Sequence, residues 1–238
     1  MKIKKNITLN FKISPRYDID GYFLLKKSWH HKESFQKKFL ADFSDSYNFS
    51  DKKITPKKER ELITSLTKKE FKLRRLALIQ KTKEIKLAWE KINNRFFELS
   101  HQLFNINSKS NRVCIIYPSI WPSFLRDLKK NRISFPYDRG TNHALFATSH
   151  EILHILFYDY LYFKFKNLRK IIAGEQVWDF SEVLNVIIQN EKEYFLLTRL
   201  KAVPYPQHAD LYRKMNIYWE KNTTIDEMII HFLTHPQS

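Results

Sequence analysis

The strongest constraint on the fold is a long apolar segment, residues 142–162, which also carries three chemically active side chains. Apolar residues stand on both sides of His150, Glu151 and His154. A helix that is apolar almost all round is a buried helix, so we predict a buried helix from about Asn142 to about Tyr162. Burying two imidazoles and a carboxylate without partners is costly, and a bound metal ion would offset that cost.

The spacing of these three residues indicates a metal site. His150 and His154 are four residues apart, so on a helix they lie on one face about one turn apart and can bind the same ion. The carboxylate of Glu151 falls beside that point, where it can hold a water. This His-Glu-x-x-His pattern is typical of zinc-dependent hydrolases with a glutamate general base. The alternative, a surface helix with two solvated histidines, is disfavoured by the apolar neighbours.

Length and cysteine content narrow the class of protein. The 238 residues suffice for one domain or two small ones. A single cysteine, Cys114, excludes an internal disulfide and a site built on several thiolates, which favours a reducing compartment. We find no signal-peptide pattern near the amino terminus and no apolar stretch long enough to cross a bilayer. We therefore expect a cytoplasmic protein without a membrane partner.

The net charge of +17 is concentrated in the first part of the chain. Residues 1–140 contain 32 Lys and Arg against 14 Asp and Glu, whereas residues 141–238 contain 10 against 11. A basic surface of this size can bind nucleic acid, although no nucleic-acid-binding motif accompanies it. Two alternatives stay open, a solvated lysine-rich surface and a nucleic-acid-binding protein with a structural or inactive HExxH region.

We predict that the chain divides into a basic N-terminal region, residues 1–108, and a catalytic region, residues 109–238. In the first region, Ile7–Ile13 and Tyr22–Leu25 are short β-prone runs that predict a hairpin. Phenylalanines at helical spacing predict a helix over Trp29–Phe43. We also expect that the N-terminal region either binds nucleic acid or covers the cleft and keeps an enzyme latent.

A strongly helical pattern follows Pro56, and we predict one break near Arg75. The apolar stripe over residues 85–105 predicts a helix that packs behind the catalytic region. Arg112–Tyr117 and Arg132–Pro136 are predicted strands, and Pro136 confines the second to an edge or an end.

Further helices are predicted after the apolar segment. Glu175 to about Asn190 is the first, and Leu196–Leu200, Ala209–Asn222 and Ile225–Leu233 follow. Thr224 and Glu227 have the spacing of a capping box before the last one. The predicted fold class is therefore α+β and helix-rich, with a small sheet.

A catalytic zinc needs a third protein ligand and one open position. Glu182 is favoured because it lies on the apolar helix over 175–190, where an unpaired carboxylate would be costly. Glu175 is the alternative ligand, unless it simply favours a helix N-terminus.

The motif His150-Glu151-Ile152-Leu153-His154, followed by a second helix bearing Glu182, resembles the gluzincin group of zinc metallopeptidases, particularly its minimal members. The resemblance covers Ile85 to Asn190. It implies a zincin-like fold, a zinc ion held by His150, His154 and Glu182, and Glu151 as general base. A looser similarity exists to the ImmA/IrrE proteins, which have HExxH and a downstream glutamate.

The chain departs from the fuller gluzincin pattern, in which an aspartate follows the glutamate by four residues. Val186 occupies that position, so we expect Asn185 or Asp159 to support a histidine ligand. Candidates for stabilising an oxyanion are His208 and Tyr205, or else these are ordinary loop residues.

The substrate expected from the resemblance is a peptide or protein. An extended peptide could add to the strand near Ile133–Phe135 by backbone hydrogen bonds. His143 lies two turns before His150 on the same face, and we expect it to serve packing or a substrate contact.

Overall fold

The protein is described by a computed structural model, which covers residues 7–27, 55–104, 112–122, 124–127, 130–166, 174–221 and 223–234. Helices predominate in these residues, and four strands among them form one mixed sheet. The predicted α+β, helix-rich class is therefore confirmed. The helix predicted over Trp29–Phe43 lies outside the described residues.

The helices are α1 (Pro15–Lys27), α2 (Pro56–Phe104), α3 (Thr141–Lys164), α4 (Gly174–Asn190), α5 (Lys192–Thr198), α6 (Ala209–Trp219) and α7 (Ile225–Ile229). A 3-10 turn at Pro206–His208 precedes α6, and a π-helical turn at Ile230–Thr234 follows α7. The strands are β1 (Ile7–Phe11), β2 (Arg112–Ser119), β3 (Leu125–Asp127) and β4 (Arg132–Pro136). The predicted capping box is present, because Thr224 and Glu227 exchange hydrogen bonds at the start of α7.

The predicted N-terminal hairpin is wrong, because Tyr22–Leu25 belongs to helix α1. Ser14 accepts a hydrogen bond from the backbone N–H of Tyr17 (3.2 Å) and Pro15 occupies the first turn, a favourable helix start. Gly21 lies within this helix rather than in a turn. A Cβ there would come within 2.7 Å of Leu125 Cδ1, so glycine allows α1 to approach β3 closely.

The predicted break near Arg75 is also wrong, since α2 runs without interruption from Pro56 to Phe104. No glycine or proline follows Pro56 within the helix, so nothing in its backbone chemistry forces a break. Arg74 instead supports the helix, pairing with Glu70 one turn earlier (2.7 Å).

The sheet has the order β1-β2-β4-β3, with β1, β2 and β4 parallel and β3 antiparallel to β4. Both predicted strands in this region are present, and β2 continues through Pro118. Because β4 is paired on both sides, the prediction that a peptide adds to it near Ile133–Phe135 is wrong. The edge strand beside β4 is β3, which the sequence interpretation missed because the strand is only three residues long.

The described chain forms two compact units. One contains the sheet, α1, residues 56–89 of α2 and residues 141–148 of α3, and its core includes Tyr22 and Trp121. The other contains residues 90–104 of α2, the rest of α3 and α4 to α7. The two units are not separated by one cut in the sequence, and the division at residue 108 stays a prediction.

The second unit buries aromatic side chains between its helices. Phe157 of α3 packs on Phe180 of α4, with ring centroids 5.6 Å apart, and Phe104 of α2 packs on Tyr160 of α3 at 5.8 Å. The end of the long helix thus supports α3 within this unit. Within the described part of the chain, no helix is both long and apolar enough to cross a membrane.

Candidate metal centre

Helices α3 and α4 bring the two histidines of the motif together with one glutamate. His150 and His154 lie on one face of α3, as the four-residue spacing predicts. Glu182 lies in the buried middle of α4. Among the described residues, His150, His154 and Glu182 are the group of histidine, cysteine and acidic side chains whose ligand atoms converge, and this group can hold a metal ion.

The three side chains are at contact distance. His154 Nε2 lies 3.1 Å from His150 Nε2. The carboxylate of Glu182 spans both rings, with Oε2 3.1 Å from His150 Nε2 and Oε1 3.2 Å from His154 Nε2. Tetrahedral bonds of zinc length place neighbouring ligand atoms about 3.3–3.6 Å apart. The spacing of the three residues therefore fits a small metal ion.

Burial differs between the two histidines. The side chain of His154 is fully buried, whereas that of His150 retains 17% of its surface exposed. A group with one solvent-accessible ligand can be reached by water and by a small ion. The hydrophobic surroundings also strengthen electrostatic attraction between the carboxylate and a cation.

Helix α4 supports His150 through two amide side chains. Gln189 Oε1 lies 2.8 Å from His150 Nδ1. An amide oxygen in this position accepts a hydrogen from Nδ1, and a bound metal would then take Nε2 as its ligand atom. Asn185 Nδ2 donates to the backbone oxygen of His150 (3.0 Å). Asn185 thus supports the backbone of His150, and Gln189 contacts its ring.

The sequence interpretation missed Gln189, although a signal for it exists. Glu182, Asn185 and Gln189 are spaced by three and four residues along α4, and all three are buried among apolar neighbours. Polar residues recurring on one stripe of an apolar helix indicate a shared polar partner. In this protein that partner is His150.

The charges of the group are strongly coupled. Burial disfavours the ionised form of Glu182, but hydrogen bonds and charge from His150 and His154 outweigh burial and hold the pKa of its carboxyl far below the usual range. Burial lowers the pKa of His150, yet Glu182, Glu151 and Gln189 shift that pKa upward overall. An ionised carboxylate that faces two imidazoles attracts positive charge, either as a proton on a ring or as a metal ion in its place.

Glu151 follows His150 on α3 and is partly exposed. Its negative charge contributes to the raised pKa of His150, which indicates that the carboxylate lies near the imidazole. It does not belong to the converging ligand group among the described residues. Its position beside the group, rather than in it, suits a base better than a ligand.

The remaining predicted site residues lie outside the ligand group. Glu175 is exposed in the first turn of α4, so the structure brings Glu182, and not Glu175, to the histidines. His208 is buried, with Nε2 3.0 Å from Asp179 Oδ1, and Tyr205 packs against its ring with centroids 5.7 Å apart. His143 is exposed.

The roles of His208 and Tyr205 in stabilising an oxyanion stay predictions. Because His208 Nε2 is engaged by Asp179, donation to an oxyanion would have to come from its Nδ1 atom. Tyr205 is 48% exposed and precedes the 3-10 turn that carries His208. Asp179 is on α4, one turn before Glu182.

Comparisons with protein-family models, with curated proteins and with solved structures each find no match to this chain.

Proposed function

We propose that this chain is a zinc-dependent peptidase in which His150, His154 and Glu182 hold the metal. The convergence of three ligand atoms from two helices, 3.1–3.2 Å apart, is the observation that carries the proposal. Two neutral imidazoles and one carboxylate are a common protein ligand set of catalytic zinc. Nitrogen and oxygen donors without thiolates suit zinc better than the hard cations magnesium and calcium.

When bound, zinc would supply Lewis acidity that activates a water and polarises the substrate carbonyl. Glu151 would accept the proton of the attacking water on its carboxylate and then deliver it to the leaving nitrogen. Gln189 would hold the hydrogen on Nδ1 of His150, keeping Nε2 available throughout. Glu182 stays ionised because both imidazoles face its oxygens.

The test measures zinc and peptidase activity in the same preparations of the full chain. We expect about one zinc per chain, measured by elemental analysis, and hydrolysis of an unfolded protein substrate that a chelator stops. Glu151→Gln should retain zinc and abolish hydrolysis, because the ligands remain and the base is lost. Glu175→Gln is the matched control and should change neither quantity.

Two results would contradict the proposal. A chain that carries no zinc and gains none on titration is not a zinc enzyme. If the chain binds zinc but Glu151→Gln hydrolyses the substrate as fast as the wild-type chain, then another base acts or a contaminating protease is present.

The alternative function, nucleic-acid binding by the basic residues of 1–140, stays a prediction. Salt-sensitive binding of duplex or single-stranded DNA would support it. It is compatible with a peptidase.

A further inference from the structure

Helix α2 presents leucines to solvent on the side opposite its buried face. Leu62, Leu73, Leu76 and Leu87 are 44%, 70%, 82% and 60% exposed. Steps of eleven residues make three helical turns, and a step of three makes almost one, so all four lie on one face. They extend over about 38 Å of helix at 1.5 Å per residue.

Lysines share this face with the leucines. Lys69 and Lys83 alternate with Leu62 and Leu76 at steps of seven residues, and Lys58 precedes them. All three lysines are exposed. Glu84, at the border of the face, is paired with Lys81 (3.0 Å). We call these seven leucines and lysines, 58 to 87, the leucine–lysine face.

The pattern disfavours a second helix as the occupant. In a helical seam, residues at steps of seven face the partner, and here that line reads leucine, lysine, leucine, lysine. Two copies of the chain would bring like charges together in a desolvated seam, which is costly. The face therefore does not suit a dimer of this chain.

The pattern also disfavours nucleic acid. The phosphates of nucleic acid bind cationic side chains, and the bases of single strands stack on aromatic side chains. Leu73 and Leu76 are 70% and 82% exposed, and such aliphatic side chains would gain little from a phosphate backbone.

An anionic lipid surface satisfies both residue types at once. Leucines can enter the boundary between headgroups and acyl chains, while lysine stems lie along it and their ammonium groups reach the phosphates. We propose that the leucine–lysine face of α2 binds the surface of membranes rich in anionic phospholipid. The expectation of no membrane partner considered only spanning segments and signal peptides, which this mode of binding does not require.

The proposal is tested by co-sedimentation of the full chain with phosphatidylcholine vesicles that contain or lack about 30% phosphatidylserine, the kind of anionic lipid that attracts basic segments. We expect binding to the anionic vesicles only, weakened by salt. Leu73→Gln with Leu76→Gln should lower the partition coefficient about tenfold or more, because apolar surface no longer enters the bilayer. Lys69→Gln with Lys83→Gln should lower it about fivefold per lysine.

Matched controls use exposed residues of the other unit. Leu196→Gln with Val203→Gln removes a similar apolar area, and Lys201→Gln with Lys214→Gln makes the same change in net charge. Neither control should change vesicle binding by more than about twofold if the face itself is recognised. Circular dichroism would check that every variant keeps its helical content.

Four outcomes overturn the proposal. Equal binding to neutral and anionic vesicles, or none, removes the anionic lipid surface as partner. Equal losses of vesicle binding in the lysine variant of the face and in the lysine control indicate a general charge effect. Binding of duplex DNA, without binding of vesicles, that is lost in Lys69→Gln with Lys83→Gln assigns the face to nucleic acid. A dimer in sedimentation that the leucine variant dissociates assigns the face to a second copy.

Discussion

Two buried carboxylates, one in each compact unit, have opposite environments. Glu182 faces two imidazoles, and they hold the pKa of its carboxyl far below the usual range despite burial. Burial raises the pKa of Asp18 to about 7, although the Ser119 hydroxyl (2.6 Å) and the Ile120 backbone amide (3.1 Å) donate hydrogen bonds to its carboxylate. Neutral hydrogen-bond donors satisfy the oxygens of Asp18 but do not keep its pKa low. The imidazoles that face Glu182 can carry charge, and they keep its carboxylate ionised.

The difference assigns separate roles to the two groups. Asp18 joins the start of α1 to the end of β2, and its backbone oxygen also accepts a hydrogen bond from Trp121 Nε1 (2.6 Å). It therefore serves the stability of the unit that contains the sheet. Glu182 serves the candidate metal centre, so the two carboxylates should respond differently to substitution and to pH.

The largest expected effect is that of Glu182→Gln on zinc affinity. The amide keeps the size of the side chain but loses the charge that both imidazoles face. Loss of an outer-shell contact typically lowers metal affinity by about 10- to 100-fold. Because Glu182 would be a direct ligand, we expect a larger loss of zinc affinity. Competition with a chromogenic chelator would measure it. Equal loss in Glu175→Gln, the exposed glutamate of the same helix, would contradict a specific role for Glu182.

Asp18→Ala should destabilise the fold and leave zinc binding unchanged. The substitution removes the acceptor of the Ser119 and Ile120 hydrogen bonds, and buried donors without partners are costly. We expect the free energy of unfolding to fall by about 2–4 kcal/mol, measured by urea denaturation. Loss of zinc affinity in folded Asp18→Ala would show that the two carboxylates are not independent.

Gln189→Leu should weaken zinc binding without removing a ligand. Leucine fills the space but no longer accepts the Nδ1 hydrogen of His150, so the ring loses its orientation. We expect a loss of about 10- to 100-fold in zinc affinity, with recovery in Gln189→Glu, which restores an acceptor. Gln176→Leu is the control, because Gln176 of the same helix bonds to the backbone oxygen of Phe232 instead. Similar losses in both leucine variants would indicate a helix defect.

The last expected effect is a pH dependence of stability due to Asp18. Its folded pKa of about 7 exceeds the ordinary value of 3.8, so folding takes up a proton between these values. The stabilisation from Asp18 is present in full below about pH 4 and is lost as the pH rises through 7. Over this range, the free energy of unfolding should fall by at most about 1.4 kcal/mol per pH unit.

The measurement compares the metal-free chain with metal-free Asp18→Asn by urea denaturation from pH 4 to 7. Histidines of the metal centre titrate in both chains, so their contribution cancels in the difference. The wild-type chain should lose stability relative to the variant as pH rises. Parallel pH profiles would mean that Asp18 is ionised throughout.

Local chemistry explains which elements were predictable. The helix around His150 and the helix around Glu182 were predicted within a few residues, because both are long apolar segments that begin beside glycine. The run Tyr22–Leu25 failed because four apolar residues fit a strand and a helix equally well. Its helical form follows from the Ser14-Pro15 start and from burial of Asp18, Tyr22 and Leu25 on one face.

The candidate site was predictable to the extent that it is local. His150 and His154 need only helical spacing to share a face, and the cost of a lone buried carboxylate favours Glu182 without excluding Glu175. Asn185 was expected to support a histidine ligand, and it bonds to the backbone oxygen of His150. Gln189 was not predicted as a partner of His150, because a contact between residues so far apart in the chain depends on how two helices pack. The assignment of the third ligand to Glu182 rather than Glu175 likewise required that packing.

By itself, the sequence determined that a buried helix would align two imidazoles and a glutamate, because helical periodicity and the cost of burying polar groups act over a few residues. Only the tertiary structure decided that Glu182 reaches both rings and that Gln189 holds one of them. It also decided that β4 lies inside the sheet and that α2 exposes its leucines. These features depend on distances between segments far apart in the chain, and no local rule specifies those distances.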